Sequence, residues 1–278
     1  MKFHPSKCKV LSVTGKVIQP LLSVLPFTQF VYSLGEDLLN YVDCEKDLVV
    51  IVNSCFNWSE QCGKVYSKAN QKLGLSRRTC HFVLDKNRRR VHYFTLARSQ
   101  FEHCSIIWRP LTKANIDRIE NLQKRALKWI LSEENISYTP FTTYIQKCRQ
   151  LNIMPISLRF DFLDLIFFYK VVHGMIPVEL PPYLTPYLEN NRLRSSHLDQ
   201  LCFVSTITPR TTSNELAKSF FYRTHTKWNN IPYGIRQIKN LVEFKAKLTK
   251  LMWDSIMTEV NDDIEEHLWD ENSVASQN

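Results

Sequence analysis

The sequence predicts a mainly α protein with a small N-terminal antiparallel β element, an α+β chain whose bulk is a helical bundle. Three observations predict it. Short β-branched and aromatic runs are confined to the first 53 residues, the period turns helical from Ser59, and one long segment, FDFLDLIFFYKVVHGM at 160–175, is apolar on nearly every face. With 278 residues, 44% of them hydrophobic, the chain is long enough to bury a substantial core.

The predicted strands come first. CKVLSVT (8–14), FTQFVYS (27–33) and DLVVIVN (47–53) are separated by turn residues such as Gly15, Pro20, Gly35 and Glu36. Three strands alone are marginal, so this sheet has to lie against the helices or against a partner. If the partner is absent, the third strand should expose Leu48, Val50 and Val52 along one face, and a contiguous patch of that kind marks an interface or an aggregation liability.

From Ser59 the pattern is helical. Ser59 and Glu60 read as a cap and first turn, and Val65, Ala69, Leu73 and Leu75 follow at helix-compatible spacing. A second helix is expected from Lys86 to Trp108, with Val91, Phe94, Ala97, Phe101 and Cys104 as its apolar stripe. After Pro110, TKANIDRIENLQKRALKWI gives the clearest amphipathic helix. Its Ile116, Ile119, Leu122, Ala126 and Ile130 face inward, while Arg118, Lys124, Arg125 and Lys128 lie away from that stripe. Helices are expected at 142–151 and 156–173, the latter ended by Gly174 and central to the core, where Leu165, Ile166 and Tyr169 should be buried. Four prolines in IPVELPPYLTPYLEN (176–190) exclude a regular helix and predict a loop or hinge. Two further helices are expected at 214–228 and 241–257, followed by an acidic, frayed tail.

The chemistry that the sequence offers is electrostatic. Lysine plus arginine number 36 against 27 aspartates and glutamates, a net charge of +9 that favours a polyanionic partner. Basic residues interleave with aromatics between Lys64 and Lys128, and the candidate contacts are Lys68, Arg77, Arg78, Arg88, Arg89, Arg90, Lys124 and Arg125. On helices such side chains can follow a phosphate backbone without reading bases. An ordinary solvated helix surface would also carry any one of these clusters.

Enzyme signatures are missing. Six scattered glycines form no phosphate-binding loop, and no serine elbow, HExxH or nucleophilic cysteine signature is present. The only adjacent aspartates, Asp262 and Asp263, fall in the acidic tail with no strand beside them, which is not the rigid turn that two-metal phosphoryl chemistry needs. The eight cysteines contain no CxxC pair, so reduced, mostly buried thiols are expected. Cys80–His81 and His103–Cys104 are the sole candidates for a metal site. The most apolar segment is too short and too charged to cross a membrane, and the N-terminus lacks a secretory pattern, so an intracellular protein with no membrane partner is expected, nucleus and cytoplasm being equally open.

Read in order, seven pieces resemble the C-terminal part of reverse transcriptases from jockey-like non-LTR retrotransposons. They are PSKCKVLSVTGK (5–16), KDLVVIV (46–52), SKANQKLGLSRR (67–78), ARSQFEHCSIIWRP (97–110), DRIENLQKRALKWI (117–130), LNIMPISLRFDFLDLIFFYKVVHG (151–174), and SFFYRTHTKWNNIPYGI (219–235) with FKAKL. The resemblance implies that residues 1–53 are the end of a palm with a primer-grip-like element at Leu48, Val49 and Val50. It implies a helical thumb-like domain at 54–175, the proline-rich hinge at 176–213, C-terminal helices at 214–258 and the tail at 259–278. The family's metal-binding aspartate pair would lie upstream of Met1. On this reading the chain is truncated, holds no cofactor and no catalysis of its own, whereas full-length relatives use Mg2+ for RNA-directed DNA polymerisation. The expected partner is RNA or DNA, or the missing palm and fingers, or another protein contacted through a protein-interaction module. If the gene extends upstream, the same residues would be part of an active polymerase. Val49 stands where the family has glycine, Gln61 where it tends to have histidine, and His103 where tyrosine is frequent, and these departures bear on the primer-grip role.

Overall fold

A computed structural model of the chain describes residues 4, 8–13, 30–83, 85–131, 141–187, 201–208 and 215–275. The protein is mainly α with small two-stranded β elements, and it divides into two compact units, Met1–Ser132 and Glu133–Asn278. The expected 54–175 domain is thus shared between the two units.

In the first unit β1 (Lys9–Leu11) pairs with β4 (Asn40–Val42) in parallel, which differs from the all-antiparallel element expected. The antiparallel ladders are β2 (Ser33–Leu34) with β3 (Asp37–Leu38) and β5 (Cys44–Asp47) with β6 (Val50–Asn53). The expected 27–33 strand meets only Ser33, and 27–29 lie outside the described residues.

The stretch KDLVVIV is not one strand. Leu48 and Val49 form the turn between β5 and β6, with φ of 43° and 76°. Two successive left-handed residues are what a type I′ hairpin turn requires, and it usually takes Asn-Gly because a Cβ is strained there. The turn also corrects the expected exposed face: Val50 is buried and Val52 is half-buried, whereas Leu48 and Val49 project into solvent.

The first long helix, α1 (Ser59–Thr79), begins at the expected position, but Ser59 is its first residue and not its cap, Trp58 standing there without a side-chain cap bond. Its first N–H is met by the Asn57 carboxamide, since Ser59 N donates to Asn57 Oδ1 at 3.0 Å. Cys62, Val65, Ala69 and Leu73 bury its inner face, while Leu75 is exposed. Gln61 ties this helix to the hairpin, its buried Oε1 accepting from Ile51 N at 3.0 Å.

The single helix expected over 86–108 is instead four pieces. Helix α2 (Lys86–His92), capped by Asp85, runs into a π-helical turn (Tyr93–Arg98), then α3 (Ser99–Glu102) and α4 (Ser105–Trp108), with Cys104 between them at φ 52°. The wide π turn moves the buried positions off the 3.6-residue register. Ala97 and Phe101 are buried as expected, together with Tyr93 and Trp108, whereas Val91 is exposed and Phe94 and Cys104 are half-buried. Helix α5 (Lys113–Leu131) matches its expected stripe, except that Ile116 is half-buried and Gln123 is buried, where its Oε1 accepts from the Tyr93 hydroxyl at 2.8 Å.

The second unit is built around α7 (Ile156–Val172), preceded by α6 (Phe141–Gln150). Leu165, Ile166 and Tyr169 are buried, as the pattern predicts. Tyr169 stacks on Phe244 at 4.1 Å and donates its hydroxyl to Ile238 O at 2.8 Å. Gly174, at φ 64°, ends α7 in a Schellman arrangement, with Met175 N bonding to Lys170 O and Gly174 N to Val171 O.

The loop expected at 176–213 contains a strand pair, β7 (Leu184–Pro186) with β8 (Phe203–Ser205); residues 188–200 and 209–213 lie outside the described residues. Helix α8 (Glu215–Lys218) is broken from α9 (Phe220–Asn229) at Ser219, and α10 (Tyr233–Arg236) follows. The buried Asp164 of α7 meets Arg223 of α9 through both carboxylate oxygens, at 3.1 and 3.3 Å. Helix α11 (Leu241–Ala275), capped at its start by Asn240, continues through the segment expected to fray. Among the described residues no helix is long and apolar enough to cross a membrane.

Candidate nucleic-acid interface

The charge of the chain is concentrated in one unit. The first carries 21 Lys and Arg against 10 Asp and Glu, a net +11, and the second carries 15 against 17, a net −2, which together give the +9 of the whole chain. Every candidate contact read from the sequence lies in the first unit.

Those candidates do not all face water. Lys68, Arg77, Arg78, Arg88 and Arg125 are exposed, and Arg88 makes only a 3.7 Å contact with Asp85 at the helix start. Arg89 is the correction among them. It is buried, its Nε donates to Val83 O, its Nη1 donates to Trp129 O at 2.8 Å, and its guanidinium sits 5.8 Å from the centre of the Trp129 ring. The helical turn decides this, because neighbouring residues point about 100° apart and the arginine run cannot keep all its members outside. Arg90 is half-buried against the Phe94 ring at 5.1 Å. Lys124 is half-buried and points about 100° away from Arg125 around α5.

Arg118, which the sequence did not single out as a contact, shares a partner with Arg125. Arg118 of α5 lies over the ring of Tyr66 on α1, 4.3 Å from its centre, and Arg125 donates from Nη2 to the same tyrosine's hydroxyl at 3.0 Å. The heptad spacing of Arg118 and Arg125 was visible in the sequence, but their shared partner Tyr66 lies more than fifty positions upstream of both and was not. Arg98 is likewise no surface charge: it is buried, pairs with Glu102 at 2.6 Å and packs against Phe94.

The primer-grip-like residues separate into two roles. Leu48 and Val49 occupy the exposed hairpin tip, whereas Val50 belongs to the core beneath it.

All eight cysteines are free, and only Cys62 and Cys148 are buried, fewer than expected. Burial pushes the Cys62 thiol up to about 11. Cys80 lies 3.9 Å from His92 Nε2 rather than beside a second cysteine–histidine pair. Among the described residues no three His, Cys, Asp or Glu side chains converge on a point where they could hold a metal ion.

No protein-family model, curated protein or solved structure matches this chain.

Proposed function

We propose that the chain derives from the thumb-like, C-terminal part of a non-LTR retrotransposon reverse transcriptase and that its first unit binds RNA or DNA without reading sequence. The observation that carries the binding is the separation of charge, +11 on one unit and −2 on the other, with Lys68, Arg77, Arg78, Arg88 and Arg125 exposed on the helices of the positive one. Such side chains meet phosphates, which are the same at every base pair. Polymerisation would belong to a longer product that also carries a palm.

The test is a titration of labelled duplexes of unrelated sequence across a salt series. If about five phosphates are neutralised, affinity should fall by roughly 500-fold between 50 and 200 mM salt, equally for all sequences. Salt-independent binding, a preference for one duplex, or no binding at low salt would overturn the proposal.

A second reading, a protein-interaction module, is favoured by one observation. Phe30, Val31, Leu38 and Leu48 are each more than two-thirds exposed in the N-terminal β region. Replacing them with serine should leave duplex binding unchanged and abolish association with a palm-and-fingers polypeptide supplied in trans.

A further inference from the structure

Within the positive unit one cluster is built more closely than a solvated face needs to be. Arg118 and Arg125 stand seven residues apart, two turns along the same side of α5, and both end on Tyr66 of α1. Arg118 passes alongside α1, for its Nη1 is 4.0 Å from where a Cβ on Gly63 would stand. Arg125 is fixed at the hydroxyl end of the ring and Arg118 over its face.

Both arginines are exposed and Tyr66 is half-buried, so the cluster can be reached from solvent. A guanidinium has five N–H donors, and the tyrosine hydroxyl can donate while it accepts from Arg125. Two fixed cations and several convergent donors fit a ligand that is anionic and rich in acceptor oxygens. A phosphodiester has that chemistry, with planar, charge-assisted geometry that arginine matches and lysine does not. Free arginines would lose rotamer freedom on binding; here the aromatic ring has already removed much of it.

We infer that Tyr66, Arg118 and Arg125 form a phosphate-binding subsite for a nucleic-acid backbone, with Tyr66 the positioning residue that holds the two guanidinium groups in advance. The inference rests on the nucleic-acid reading above, and its test separates the two. Arg118→Ala with Arg125→Ala should lower the slope of log affinity against log salt by about 1.8, two phosphates' worth, and weaken binding at least tenfold at low salt. Tyr66→Phe keeps every charge, so it should leave the slope unchanged while weakening binding about threefold to tenfold at each salt concentration. Arg118→Lys with Arg125→Lys should restore the slope but not the affinity. Circular dichroism melts of each variant ensure that a folding defect is not read as lost binding.

If Tyr66→Phe and Tyr66→Leu, which also takes the ring from Arg118, both bind like the wild type, the positioning role is wrong. If the double alanine variant keeps the wild-type slope while Arg77→Ala with Arg78→Ala lowers it, the subsite is wrong and the general nucleic-acid reading survives. Absence of wild-type binding to any duplex at low salt removes both, as does binding of an acidic peptide that duplex DNA cannot displace.

Discussion

Replacing Arg89 with alanine should unfold the first unit more easily and should leave its outer charge pattern almost intact. Arg89 donates to two backbone carbonyls, Val83 O and Trp129 O, and lies against the Trp129 ring. A hydrogen bond from a charged group contributes about 1.5–3 kcal/mol, and the neighbouring aromatic about 0.5–1 kcal/mol. Trp129 O is also one of the last four carbonyls of α5, whose helix dipole favours a cation there. The bonds overlap in what they stabilise, so the loss is about 3–5 kcal/mol, a large part of the roughly 5–15 kcal/mol that holds an ordinary domain. Urea denaturation followed by fluorescence and circular dichroism reads it. With two units the transition can split, and the shift should fall on one limb alone. Arg88→Ala is the control: its side chain is 78% exposed, so it should change stability by less than about 0.5 kcal/mol while lowering the salt slope of duplex binding. Arg89→Lys should recover only part of the loss, because one ammonium cannot reproduce the fork. Equal denaturation midpoints for Arg89→Ala and Arg88→Ala would refute the structural role.

Leu165→Ala, at the buried face of α7, should destabilise the second unit by about 2–5 kcal/mol, and an unchanged denaturation midpoint would remove that helix from the centre of the core. Val49→Gly should stabilise the chain by about 0.5–1 kcal/mol. A left-handed β-branched residue costs about 1–2 kcal/mol, more than the conformational freedom a glycine adds back to the unfolded chain, and a lower midpoint would show that the turn is unstrained. Cys62 should resist alkylation at pH 8 in the native protein and react on unfolding. Its raised thiol favours the protonated, folded form, so its stabilising effect is complete below the ordinary thiol range and should be lost as pH rises towards about 11. A Cys62→Ala variant with the same alkaline stability profile as the wild type would exclude that linkage.

Much of the helical order could be read directly. The apolar continuity of 156–172, the glycine at 174 and the polar start at Ser59 are local signals, and a helix boundary is set largely by residues within a turn of it. The parts that could not be read have a common origin. VVIV has strand propensity, yet only pairing Asp47 with Val50 and Cys44 with Asn53 shows that a turn interrupts the run at Leu48 and Val49. The 86–108 stripe was met at Ala97 and Phe101 but not as one continuous helix, because a π turn, which leaves no period in the sequence, interrupts it between Tyr93 and Arg98.

Composition alone determined that this chain is basic and poor in glycine, and the periodicity of its apolar residues that it is mainly helical. Tertiary structure decided which arginines carry that charge outward. Arg88 and Arg89 are chemically identical neighbours, but α5 supplies a carbonyl and an indole only to the second; Arg118 and Arg125 look like unremarkable surface positions until α1 brings Tyr66 beneath them. Periodicity specifies the direction in which a side chain leaves its own helix, and long-range packing specifies what it finds there.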